Sequence, residues 1–139
     1  MYAQQQDMID RFSQEELVQL TDLTGSGQID ATTVGDALAD ASDEMDSYIG
    51  AVAQLPLTNI PPVLTRVCCD IARYRLYDQA APTEVTARYT ASVNWLTQLA
   101  KGVVKLGLPQ TQQPPVQDES QVSPTTPTRV YTSDTLSDY

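Results

Sequence analysis

The sequence predicts an all-α protein, a small bundle of four to five helices followed by a long extended C-terminal tail. Three observations carry that class. Apolar residues recur at three- and four-residue steps through most of residues 4–101, the period of helices with one buried face. No βαβ alternation, phosphate loop or Gly-rich nucleotide fingerprint interrupts them. After Leu108 the composition changes abruptly: five of the nine prolines fall in the last 31 residues, together with fifteen Gln, Ser or Thr.

The first elements are short. Residues 4–11 bring Met8 and Ile9, with Phe12 just beyond, against a second segment that opens at Ser13. There Ser13 and Glu16 have the spacing of a capping box, hydroxyl at the N-cap and carboxylate at the third helical position. Leu17, Val18 and Leu20 follow, and the two segments make a helical hairpin. From Ala31 to Ala53, Val34, Leu38, Ala41, Met45, Tyr48 or Ile49, and Val52 define a long amphipathic helix. Its opposite side carries Asp36, Asp40, Asp43, Glu44 and Ser47, a strongly acidic face. That face is either a solvated surface or one presented to a basic partner or a channel.

Pro61 and Pro62 suit the first turn of the next helix, where absent N–H groups cost nothing. Its core stripe is Val63, Leu64, Val67, Cys68, Ile71 and Tyr74, running to about Tyr77. On its other face Arg66 and Asp70 are four apart and Asp70 and Arg73 three apart, each pair supporting the helix by a few tenths of a kcal/mol (~0.3). A structural or subunit-contact role fits these charges better than chemistry. The last helix runs from about Pro82 or Thr83 to Lys101, with Val85, Tyr89, Val93, Leu96, Leu99 and Ala100 inward and Gly102 as its stop. Trp95 flanks that stripe as a core residue or an interface anchor. Val103–Leu108 is an apolar strand or a helix extension.

Charge narrows the function. The formal net charge is −10, with 18 acidic and 8 basic residues and no histidine. Without histidine, Ser-His-Asp, Cys-His and His-rich zinc sites cannot be assembled. Catalysis would rest on carboxylates such as Asp70 with Tyr74 or Tyr77, and no spacing supports it. Phosphate binding needs a Lys/Arg surface, which argues against a direct DNA-binding role. The excess is local: residues 1–55 hold 11 acids and only Arg11, residues 56–108 are net +3, and residues 109–139 are net −3. Adjacent Cys68 and Cys69 diverge by about 100° on a helix and are expected to stay reduced, Cys68 as a small buried hydrophobe. No apolar run is long enough to cross a membrane, and the acidic start is unlike a signal peptide, so a protein made in a cytoplasm is expected.

Residues 22–33 partly copy a calcium-binding EF-hand loop. Asp22 stands at position 1, Thr24, Ser26 and Asp30 supply oxygens at positions 3, 5 and 9, and Gly27 occupies position 6. Position 12 is Thr33, so the bidentate Glu is missing. The expectation is a Gly-containing turn ending in Asp30 as N-cap, with calcium affinity weak or absent. No cofactor is expected.

The opening MYAQQQDMIDRFSQEELVQLTD, the turn GSGQID leading into DALADASDEMDSYI, the segment PPVLTRVCCDIARYRLY, the helix RYTASVNWL and the ending RVYTSDTLSDY together resemble the Mu-like phage head-to-tail connector family, also called head-completion or adaptor proteins. The likeness spans residues 1–108 and resumes at about 128, with none carried by the Pro/Gln-rich stretch between. The early loop departs from the family, which is richer in acid there than Thr24 and Ser26. The resemblance implies a non-enzymatic virion protein at the neck, assembled in the host bacterial cytoplasm. Such a protein forms a ring, by analogy of twelve subunits, below the portal protein. The ring extends the DNA channel, through which genomic DNA passes without specific binding, and docks the stopper or tail-completion protein.

Residues 1–108 are then the connector domain, 109–128 a Pro/Gln/Thr-rich linker and 129–139 a docking segment. Extended at about 3.1 Å per residue, the linker spans roughly 60 Å. It delivers Arg129, Val130, Tyr131, Leu136 and Tyr139 to a neighbour or, by resemblance, to the portal; residues 129–132 can add as a strand to an open sheet edge. An acidic half and a basic half are complementary across a ring interface, with Asp36, Asp40, Asp43, Glu44, Arg66, Asp70 and Arg73 as candidate subunit contacts. The competing reading is a soluble acidic regulator that mimics nucleic acid on a basic partner.

Overall fold

The computed structural model describes residues 1–109 and Gln112. Five α-helices and no strand occur among the described residues: α1 (Gln5–Phe12), α2 (Gln14–Thr21), α3 (Ala31–Ile49), α4 (Pro62–Tyr77) and α5 (Thr83–Ala100), with one 3₁₀ turn at Asp78–Ala80. The three long helices α3, α4 and α5 pack on one another, and the α1–α2 hairpin lies against α3 and α4.

The buried residues follow the helical period. Val34, Leu38, Ala41, Met45 and Ile49 of α3 meet Leu64, Val67, Cys68 and Ile71 of α4 and Leu96 and Leu99 of α5, and Met8, Phe12 and Leu17 of the hairpin close the same core. Val63, Tyr89 and Trp95 pack at its edge, half-buried. Both cysteines are free and buried, Cys69 as fully as Cys68. Their neighbours are unlike: Cys68 lies beside the Ser42 hydroxyl of α3 at 3.6 Å, whereas Cys69 lies toward α1, within reach of the charges of Arg11 and Asp7.

In its backbone and chain ends the fold departs from the sequence reading at four places. The helix expected over residues 31–53 ends at Ile49. Beyond Gly50 the chain turns, with the Val52 and Ala53 N–H groups both bonding back to the Ile49 carbonyl at 2.9 Å. Only half of the capping box forms. The Ser13 hydroxyl accepts the Glu16 N–H at 3.4 Å, but the Glu16 carboxylate reaches across to α4 instead of back to its own helix. Ser13 joins the two helices at φ 84°, ψ 152°, a region that favours glycine; its N–H, bonded to the Ile9 carbonyl at 3.0 Å, helps to hold it there. Residues 103–108 are neither strand nor helix. After Gly102 at φ 76° the N–H groups of Val103 and Val104 both close on the Gln98 carbonyl, and Val104, Leu106 and Leu108 then pack back on the core, with a second left-handed glycine, Gly107 at φ 64°, between the last two. The fourth departure is Tyr2, which the sequence left unassigned. It is buried, its N–H bonds the Ser42 hydroxyl at 3.2 Å, its carbonyl accepts from the Thr65 hydroxyl at 3.0 Å, and its phenol donates to Asp46.

Candidate interaction surface

Helix α3 sorts its acids by angle. Residues Asp36, Asp40 and Asp43 share the face opposite the Val34–Leu38–Met45 stripe; all three are exposed and none has a hydrogen bond or ion pair among the described residues. Glu44 and Asp46 stand at the two margins of that face, where neighbouring side chains can reach them. Arg75 of α4 pairs with Glu44 at 2.6 Å, the Tyr89 hydroxyl donates to the same carboxylate at 3.2 Å, and the Tyr89 ring stacks on Tyr74 with centroids 4.1 Å apart. Asp46 accepts from Tyr2. Glu44 is therefore half-buried and partnered inside the fold, a correction to its expected place on the open acidic face.

The expected outward face of α4 is corrected in the same way. Arg66, Asp70, Arg73 and Tyr77 do share one side of that helix, but α2 and α5 close over much of it. Asp70 is only 5 % exposed. Its two carboxylate oxygens lie 3.9 Å from Arg66 and 3.8 Å from Arg88, and the Ser92 hydroxyl donates to it at 3.4 Å. Burial raises its pKa above the ordinary carboxylate value, while the charges of Arg88, Arg66 and Arg11 oppose that rise. The Asp70–Arg73 pair expected from spacing does not form, because Arg73 turns to α2. Its Nε donates to Glu16 at 2.6 Å, its guanidinium lies 4.5 Å from the centre of the Phe12 ring, and Tyr77 donates to the same Glu16 oxygen at 3.0 Å. Tyr77 and Tyr89 both have raised pKa values, from burial first and the adjoining carboxylates second.

Two patches of opposite sign result. One is the row Asp36–Asp40–Asp43. The other is an arginine cluster in which Arg66 and Arg88, each about half exposed in its side chain, flank the buried Asp70, with exposed Arg11 close enough to act on the same carboxylate. Arg88 was not among the residues singled out from the sequence. Its charge lies at the border of the α5 stripe, where the helical period does not decide between solvent and a neighbour. The outer side of α5 is an open uncharged strip that includes Thr83, Thr86, Ala87, Thr90 and Asn94.

The EF-hand-like loop has its donors reversed. Both oxygens of Asp22 point inward and accept the N–H groups of Thr24, Ser26 and Gly27 at 3.2, 3.0 and 2.6 Å, along with the hydroxyls of Thr24 and Ser26. Those bonds, the Gly27 N–H foremost, lower its pKa to about 2. Gly25 and Gly27 take φ of 75° and 72°, which folds the loop around the carboxylate. Asp30 caps α3 through the Thr32 N–H at 3.0 Å, and Thr33, in the place of the bidentate Glu, donates to Asp30 at 2.8 Å. Among the described residues no three His, Cys, Asp or Glu side chains gather as a metal site, and no helix is long and apolar enough to cross a membrane. The docking residues Arg129, Val130, Tyr131, Leu136 and Tyr139 lie outside the described residues.

Fold and surface thus define a small all-α domain with an acidic row on one helix and an arginine cluster elsewhere. The chain belongs to the family described as Bacteriophage Mu, Gp36, whose model matches residues 2–124. The Mu-like prophage FluMu protein gp36 of Haemophilus influenzae is 37% identical over 108 residues, covering 78% of this chain and 77% of that protein. Gene product J of Escherichia phage Mu is 37% identical over 108 residues, covering 77% of each. The Mu-like phage resemblance drawn from the motifs is thereby established. The family match also runs to residue 124, well into the Pro/Gln-rich stretch to which the motifs had assigned no likeness.

Proposed function

We propose that this phage protein is a structural, non-enzymatic component of the virion. In this reading it is a head-to-tail connector, or adaptor, that forms a ring below the portal, extends the DNA channel and docks the stopper or tail. The observation that carries the reading is the pair of opposite patches on one small phage domain: three carboxylates along α3 without a partner among the described residues, and an arginine cluster between α4 and α5. Other charges that catalysis would recruit are already spent on the fold, Glu16 on Arg73 and Tyr77, and Glu44 on Arg75 and Tyr89. The acidic row suits a channel wall or a subunit contact, because like charges keep DNA from adhering and are screened beyond about 8 Å at physiological salt. Gln112 is buried and its backbone carbonyl accepts the Gln54 N–H at 3.1 Å, so the arm that reaches the portal begins beyond it, at residues 113–139.

Imaging of purified particles with an antibody label on this chain tests the reading. Label at the neck, and a ring with a central hole when the protein is mixed with portal particles, are the expected results. Deletion of residues 113–139, which keeps the contacts of Gln112 with Gln54 and Thr58, should abolish docking and leave the helical fold intact. A small monomer or dimer that competes with DNA for a basic partner would instead identify an acidic regulator.

A further inference from the structure

The arginine cluster keeps cationic donors open at the surface among the described residues. Asp70 is buried between Arg66 and Arg88, yet at 3.9 and 3.8 Å neither contact is a hydrogen bond. The carboxylate holds the two guanidinium groups in place without using up their N–H donors, and no other hydrogen bond from Arg66 or Arg88 occurs among the described residues. Allowing for the width of one carboxylate, the two guanidinium nitrogens that face Asp70 are at most about 10 Å apart. Arg11 adds a third charge at the edge. Among the described residues the acids nearest the cluster are accounted for: Glu16 is taken by Arg73, Asp7 accepts the Gln4 N–H, and Glu84 lies toward Arg73. Two half-exposed guanidinium groups around one buried carboxylate leave a positive patch on a chain of net charge −10.

The matching acids lie on α3. At 1.5 Å per residue, Asp40 is about 6 Å and Asp43 about 10.5 Å along the axis from Asp36, a row long enough to face two arginines that are no more than about 10 Å apart. One copy cannot bring the two patches together. The side of α3 that packs on α4 and α5 is the Val34–Leu38–Met45 side, so the acidic row is turned away from both helices. We propose that Arg66 and Arg88, with Arg11 at their edge, receive the Asp36–Asp40–Asp43 face of a second copy of this chain. The contact is heterologous, each copy using a different patch, and a head-to-tail contact of that kind closes into a ring when its rotation allows. The inference rests on the connector reading for its biological setting. At physiological salt only charges within about 8 Å of one another count, so local pairing overrides the net repulsion between acidic copies.

The test uses the full chain in two forms, R66Q/R88Q and D36N/D40N/D43N, followed by native mass spectrometry and analytical sedimentation at 0.15 and 1 M salt, with helicity checked by circular dichroism. The wild-type chain should associate and lose that association in 1 M salt. Each variant alone should associate about tenfold or more weakly. Mixed together, the variants should form 1:1 dimers and nothing larger, because only one productive patch pair remains. Among the described residues the three aspartates have no hydrogen bond or ion pair, so the Asn variant keeps the test decisive even where the Arg variant fails to fold. A wild-type chain that stays monomeric overturns the proposal. So does a D36N/D40N/D43N chain that associates normally, or a cluster that binds a short DNA duplex through Arg66 and Arg88 while self-association is unchanged. Neck labelling of particles is read separately, so the connector reading can stand when this contact falls.

Discussion

Replacing Glu16 by Ala removes the joint that ties the N-terminal hairpin to α4. Its carboxylate accepts from Arg73 Nε at 2.6 Å and from the Tyr77 hydroxyl at 3.0 Å, with side-chain exposures of only 19% for Glu16 and 12% for Arg73. Hydrogen bonds to a charged group contribute about 1.5–3 kcal/mol each, and removing one partner of a well-buried ion pair costs about 3–5 kcal/mol. Here the pair is only partly buried, and the Arg73 guanidinium keeps its seat on Phe12 and a path to water. The expected loss is therefore about 2–3 kcal/mol, equivalent to a fall of roughly 10 °C in Tm for a domain of this size. Urea unfolding followed by circular dichroism measures it. Glu15→Ala is the control: Glu15 shares the first turn of α2 but is exposed, and only its helix-dipole contribution of about 0.3–1 kcal/mol is at stake. A double-mutant cycle with Arg73→Met should return a coupling of about 1–2 kcal/mol. If Glu16→Ala costs no more than Glu15→Ala, or the coupling vanishes, the hairpin is held by apolar packing alone and the reasoning is wrong.

Three further outcomes follow from the same structure. Neither cysteine should react with a thiol reagent in the native protein at pH 8, and both should react in denaturant, because burial raises both thiols, Cys69 to about 12. The two aspartates with opposite shifts should act oppositely on stability as pH falls. Asp22, lowered to about 2, stabilises above its unfolded value of 3.8 and loses that contribution as pH falls toward 2, so Asp22→Asn should flatten the acid limb of a Tm-against-pH curve. Asp70, raised by burial, binds its proton more readily when folded, so its contribution becomes more favourable as pH falls from its folded value toward 3.8; Asp70→Asn should remove that gain and make acid loss steeper. Tyr89→Phe keeps the stack on Tyr74 but deletes the bond to Glu44, and chemical denaturation should show a loss of about 1 kcal/mol.

Helix α3 shows how far the sequence reaches. Its N-cap Asp30, its apolar stripe and the central acids Asp36, Asp40 and Asp43 were all legible, because each depends only on position within one helix. Glu44 was not. It sits at the margin of the same face, and whether a marginal carboxylate meets water or an arginine depends on which helix lies beside it. Asp70 and Arg73 repeat the lesson on α4: their three-residue spacing permits a pair, but Glu16, 57 residues away in sequence from Arg73, is the better-placed acceptor. Arg88 carried no spacing signal at all and acquires its role only when α5 sets it beside Asp70.

By itself the sequence determined the all-α class, the identity of the core stripes, the capping turn at Asp30 and the motifs that place the chain in a Mu-like phage family, since these are written in local period and residue type. The tertiary structure alone decided which charges are spent within the fold and which remain for a partner. A helical repeat separates inside from outside on one helix, whereas the partner of a charge at the boundary is chosen by the packing of helices distant in sequence.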